Sequence, residues 1–167
     1  TWARSRDNSL HLGELAAAVA ERQLKDGRHW LVEQPQGSAL FTSPAWARLK
    51  PRSCRIVFDQ CQTGLRSLQH PFLPVKKPTE MWASHPVLLK RLEGKVCDHS
   101  HEHALIGKTI LNQHRSTANS KQMQVWPQQL CQLLASGIQE LFEDHYPKND
   151  KRKQSHCHFT EKKKNKT

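Results

Sequence analysis

The sequence predicts an α/β fold: a small open sheet, mixed with an antiparallel edge and flanked by helices. Two observations carry this expectation. Apolar residues recur at helical spacing near both ends of the chain, from Leu12 to Leu24 and from Leu130 to Phe142, and short β-rich runs lie between them. Alternation of that kind is the signature of helices laid on a sheet. With 167 residues there is room for one modest core, because domains cluster at roughly 100–150 residues.

The elements follow in order. Asn8 or Ser9 offers an N-cap, and Leu12, Leu15, Ala16, Val19, Ala20 and Leu24 form one stripe that ends at Gly27, a residue suited to a helix C-terminus. Residues 29–33 (HWLVE), closed by Gln34-Pro35, read as a buried strand. Ser43-Pro44 opens a brief helix through Leu49, with Pro at the first helical position. Residues 54–59 (CRIVFD) form a second strand. After a turn at Gly64, residues 77–82 form a third, which Pro78 confines to an edge or to a strand start. Ser84 caps a short helix over 86–92, and the stretch 93–125 is polar and irregular. Residues 127–144 make the second strong helix, with Leu130, Cys131, Leu134, Ile138, Leu141 and Phe142 along one face. There is no internal repeat.

Composition narrows the function classes. Hydrophobic residues are 36% of the chain, a thin supply supplemented by five Trp and five Phe. No run approaches the roughly 18–20 apolar residues of a membrane span, and no apolar segment follows the polar start, so neither a membrane partner nor a signal peptide is expected. The start at Thr1 rather than Met points to sequence missing upstream. An intracellular location follows, and with it reduced or metal-bound thiols for the five cysteines, an odd count that also argues against a disulfide framework. The charge of +11 is concentrated at the end: residues 148–167 hold eight basic and two acidic residues and one large apolar side chain, Phe159. Such a segment is expected to be a basic disordered tail after an α/β unit over 1–147. Its clusters Lys151-Arg152-Lys153 and Lys162-Lys163-Lys164 read as a nuclear-import address, as a phosphate-binding arm acting through counterion release, or as a solvated tail.

Cys97-Asp98-His99-Ser100-His101-Glu102-His103 carries the densest metal chemistry. Alternate residues of an extended segment share a face, and Cys61 stands to join from a neighbouring turn. Thiolate and imidazole together favour zinc, with Cys61, Cys97, His101 and His103 the best quartet. The spacing is not that of a standard finger, and the alternative is a polar loop of unliganded histidines. His156-Cys157-His158 in the tail is incidental.

Leu31-Val32-Glu33-Gln34-Pro35, with Gly37-Ser38-Ala39-Leu40-Phe41 and Pro44-Ala45-Trp46 behind it, resembles a segment of the cytosine-5 DNA methyltransferase-like domains of phage and retroelement type. The resemblance continues through Asp59-Gln60-Cys61-Gln62-Thr63-Gly64, through Lys77-Pro78-Thr79-Glu80-Met81-Trp82, and through Cys97 with His101 and His103. It spans roughly residues 8–145 and corresponds to the C-terminal half of that domain. It implies part of a Rossmann-like methyltransferase sheet in which Glu33 contacts a flipped base, a role that a carboxylate fits by accepting from the exocyclic amine. The alternative for Glu33 is to orient the Gln34-Pro35 turn. Gln34 replaces the usual Asn, and the aromatic residue normally found before Gly64 is absent. Lys76 and Lys77 stand near the position where full enzymes place Arg, either to reach a phosphate or to hold the sheet edge, and the alternative is a pair of solvated edge-strand lysines.

What such an enzyme needs upstream is missing: the chain has no G-x-G pair and no Cys after a Pro. Without the cofactor loop, S-adenosylmethionine is not expected to bind this chain alone, and without the thiolate no covalent step is available. Three expectations remain: a truncated or degenerate methyltransferase-like domain of mobile-element origin, inactive alone; a basic nucleic-acid-binding module with a structural zinc, for DNA in preference to RNA; or one subunit of a split methyltransferase whose N-terminal half is a separate partner.

Overall fold

The computed structural model describes residues 2–68, 70–104 and 124–145. The basic tail, its two Lys/Arg clusters and His156-Cys157-His158 lie outside the described residues. Helix α1 (Trp2–Lys25) leads into strand β1 (Leu31–Pro35); the short helix α2 (Pro44–Ala47) precedes β2 (Cys54–Asp59), then come β3 (Pro78–Ala83) and the long helix α3 (Gln128–His145). No described helix is long and apolar enough to cross a membrane.

The fold is helices packed on a three-stranded sheet, in the order β1-β3-β2. Both pairings are antiparallel, Val32 opposite Trp82 and Ile56 opposite Met81. This corrects the expected mixed sheet with an antiparallel edge: the described strands contain no parallel pair, and the reversed strand sits in the centre. β1 and β2 run in the same direction, but the long connection after β2 lets β3 return between them. Pro78 is tolerated there because it opens β3, where its carbonyl still accepts from Gln36 N–H at 3.1 Å.

Each face of the sheet carries its own core. On one, Phe58, Met81 and Ala83 meet Leu130, Leu134 and Leu141 of α3. On the other, Trp30, Phe41, Trp46 and Trp82 meet Ala17 and Ala20 of α1. Phe41 stacks on Trp82 with centroids 4.6 Å apart, and Trp46 stands edge-on to Trp30 and Phe41 at 5.6 and 5.5 Å.

These aromatic plates explain the largest departure from the sequence reading. The side of α1 facing the core is Gly13, Ala17 and Ala20, whereas Leu12, Leu15 and Val19 of the expected stripe are exposed. The indoles fill the space, so the helix must approach on its small residues: Trp46 Nε1 donates to Gly13 C=O at 3.1 Å, and a Cβ on Gly13 would lie 2.4 Å from Leu40 Cδ1. α3 behaves alike, burying Leu130, Leu134, Gly137 and Leu141 while Cys131, Ile138 and Phe142 are exposed. A Cβ on Gly137 would meet Val87 C=O at 2.9 Å.

Other boundaries move for local reasons. α1 begins at Trp2, not at an Asn8 or Ser9 cap. Leu31, not His29, opens β1. The expected helix over 86–92 is two 3₁₀ turns, capped by His85, whose Nδ1 accepts from Val87 N–H at 3.4 Å. Ser84 is occupied elsewhere, its Oγ accepting from Trp30 N–H at 3.0 Å.

Candidate metal centre

Cys61, Cys97, His101 and His103 converge, their donor atoms all within 4.8 Å of one another. The two thiols are buried and the two imidazoles half-buried. Cys97 Sγ lies 3.4 Å from His103 Nε2 and 3.8 Å from His101 Nε2. A tetrahedral ion with Zn–S near 2.3 Å and Zn–N near 2.0–2.1 Å sets its donors roughly 3.3–3.8 Å apart, so these spacings suit such an ion.

The centre is assembled by the ends of two segments. β2 ends at Asp59 and tightens into a 3₁₀ turn, residues 60–63, closed by Gly64 at φ 90°, a left-handed position natural to glycine. That turn presents Cys61. The facing loop is held at both ends, where Asp59 Oδ2 accepts from Cys97 N–H at 2.9 Å and Ala104 N–H donates to Pro74 C=O at 2.9 Å. Ala104 also packs with Leu65 and Val75 in a small apolar cluster. Within the loop His99 adopts φ 61° and donates its N–H to Cys97 Sγ at 3.4 Å. This is charge-assisted stabilisation of a sulfur once it is ionised.

Electrostatics distinguish the ligands. Burial, followed by the hydrogen bond and charge of Cys97 and the charge of Asp59, pushes the Cys61 thiol up to about 11. An arriving ion must therefore displace its proton. Burial, followed by the charges of His101, His99 and Lys76, holds His103 below the usual imidazole value, so it is neutral and presents a lone pair at pH 7.

Glu33 stands midway along β1, opposite Met81, and its side chain reaches toward the turn that follows β2. Its Oε1 accepts from Lys77 Nζ at 3.3 Å and from Gln60 Nε2 at 3.5 Å. Both members of the Lys77–Glu33 pair are largely buried, so Lys77 is not a solvated edge lysine. In the turn that follows, Gln34 Oε1 accepts from Ser38 Oγ at 3.1 Å. Lys76 diverges from Lys77, its Nζ lying 2.9 Å from His99 Nε2. The structure thus brings Lys77 to Glu33 and Lys76 to the histidine loop.

Sequence reasoning assigned no role to Asp59, Gln60 or Thr79. Gln60 is completely buried; its Nε2 also donates to Thr79 Oγ1 at 2.9 Å, and its Oε1 has no partner among the described residues. It links the turn bearing Cys61 to Glu33. The available signal was a run of polar residues, Asp59-Gln60, directly following a β-rich segment. Compared with protein-family models, with curated proteins and with solved structures, the chain has no match.

Proposed function

We propose that this chain is a zinc-stabilised, cytosine-5 methyltransferase-like nucleic-acid module without methyl-transfer chemistry of its own. The observation that carries the proposal is the convergence of Cys61, Cys97, His101 and His103. Two sulfurs and two imidazole nitrogens are a donor set that selects zinc over hard cations, and four protein ligands leave no open position for substrate, so the ion is structural. It ties the polar loop to the end of β2, a join that the few apolar residues there could not make alone.

The resemblance supplies the second half of the proposal. Glu33 stands midway along β1, and its side chain reaches Lys77 and Gln60 beside the turn that bears Cys61. There Lys77 and Gln60 hold its carboxylate as a fixed acceptor for the exocyclic amine of an unstacked cytosine. Zinc bound beside Gln60 stiffens the turn that orients this carboxylate. DNA is the expected partner, bound through phosphates by Lys76 and by the Lys/Arg clusters outside the described residues.

Protein purified without a polyhistidine tag should contain one equivalent of zinc, and chelation should lower its unfolding midpoint. Zinc well below one equivalent with an unchanged midpoint sinks the metal. Single strands carrying an accessible cytosine should bind roughly tenfold more tightly than thymine counterparts, a preference that Glu33→Gln abolishes. Equal discrimination by both proteins sinks the base contact.

A further inference from the structure

Among the described residues the outer edge of β1 is open. Ser84 N–H donates to Trp30 C=O and Gln36 N–H donates to Pro78 C=O, so the even-numbered residues of β1 bond to β3. Leu31 and Glu33 therefore turn their N–H and C=O outward, and among the described residues nothing bonds to them. β1 is only half-buried, whereas β3 is buried from Thr79 to Ala83. No outward lysine or bulge blunts this edge, and Glu33, the one charged residue on it, has its carboxylate held by Lys77 and Gln60.

Apolar surface overhangs the edge on both faces. On one, α1 exposes Leu12 (68%), Leu15 (60%) and Val19 (50%), spaced i, i+3 and i+7. They lie away from the α2 side of the helix, which the Glu21–Arg48 ion pair marks, and Leu12 and Ala16 border a cavity with Val32 and Gln34. On the other face Ile138 and Phe142 of α3 are more than half exposed beside Leu31. These five side chains present on the order of 500 Å² of apolar surface, as much as the largest patch on a typical monomer. With the strand edge between them, the surface approaches the roughly 800 Å² per partner of a stable interface.

We infer that the occupant is a second copy of this chain, joined through β1 by a two-fold axis at Val32. The edge is self-complementary. In an antiparallel pairing about that axis, Leu31 of each copy exchanges N–H···O=C bonds with Glu33 of the other, which satisfies every outward N–H of the strand. Pro35, which has no N–H to offer, falls opposite His29 beyond the paired span. α1 runs antiparallel to β1, and Ala16, near the middle of its exposed stripe, lies beside Val32. The same axis therefore sets Leu12 of one α1 against Val19 of the other, with the Leu15 side chains between them. The product is one six-stranded sheet with helices on both faces, an isologous closure that leaves β1 with no free edge.

Sedimentation of the full zinc-loaded chain across a concentration series tests this. A dimer at tens of micromolar is expected, and Leu15→Asp, on an exposed position, should weaken it by roughly a hundredfold or more by burying a charge, with circular dichroism unchanged. Val32→Cys supplies the second readout. Facing residues in a non-hydrogen-bonded antiparallel pair lie about 4.5 Å apart at Cα, within disulfide reach, so mild oxidation should give a 32–32 crosslink identifiable by peptide mass. A monomer at every concentration overturns the inference. So does a dimer that Leu15→Asp leaves intact, or one in which Val32→Cys forms no crosslink.

Discussion

The two outer strands of the sheet are finished in opposite ways. β2 ends in polar ties: Asp59 holds the backbone of Cys97, Gln60 reaches Glu33 and Thr79, and Cys61 faces three further metal donors. Among the described residues β1 has an outer edge with no partner strand, beneath exposed leucines. The difference teaches where this small protein places its cohesion. Its limited apolar supply is spent on the two faces of β3, polar and metal chemistry secures the end of β2, and the outer side of β1 is left as surface.

The largest effect should come from breaking the tied end. Cys97→Ser removes the donor that touches both imidazoles and the His99 amide, and should abolish zinc binding. Structural zinc contributes on the order of 10 kcal/mol in small domains, comparable with a whole domain's net stability of roughly 5–15 kcal/mol. Loss of the 95–104 loop's protection in hydrogen exchange, with retained protection in β3, is the expected pattern. Uniform protection in the variant would show that the metal does not hold that loop.

Next is the face between them. Glu80 is buried in the centre of β3, where its Oε1 accepts from Arg55 Nε and Trp82 Nε1, both at 2.7 Å. Burial pushes its carboxyl up, but the hydrogen bonds from Arg55 and Trp82 outweigh it and leave the pKa below the ordinary 4.5. A depressed folded pKa contributes stability that is fully present above about 4.5 and is lost as pH falls through the folded value. Glu80→Gln should cost about 1–3 kcal/mol at pH 7 and flatten the acid limb of the stability curve. Parallel acid limbs for the two proteins would show that Glu80 is not responsible.

Gly137→Ala should cost about 1–3 kcal/mol, because the added methyl meets the Val87 carbonyl and α3 must retreat. The sign is informative, since helix propensity alone favours Ala by roughly 1 kcal/mol. Chemical denaturation decides between them, and a stabilised variant would show that α3 has room to shift.

The smallest effect belongs to the open edge. Leu12→Lys or Val19→Lys, measured at high dilution, should change folding stability by no more than about 0.5 kcal/mol, the usual range for a surface position. A loss of several kcal/mol would place these side chains in the core of the monomer.

Much of this molecule was legible along the chain. Strand identity in β2, the long C-terminal helix and the Cys97–His101–His103 cluster follow from residue type and short-range spacing: a β-rich run, a 3.6-residue stripe, and soft ligands gathered in one segment, which Cys61 stands to join from a separate turn. Those signals are local, and local chemistry carries them. What only the tertiary structure decided is which side of each helix faces inward and which strand lies in the middle. Periodicity marks Leu12, Leu15 and Val19 as a buried stripe, but it cannot know that Trp30, Trp46 and Trp82 already occupy the space and admit α1 only on Gly13, Ala17 and Ala20. Nor can it show that β3 returns between two strands of like direction, or that Gln60 spans from the metal turn to Glu33. Those facts depend on volume and on pairing between residues far apart in sequence, and neither is set until the chain closes on itself.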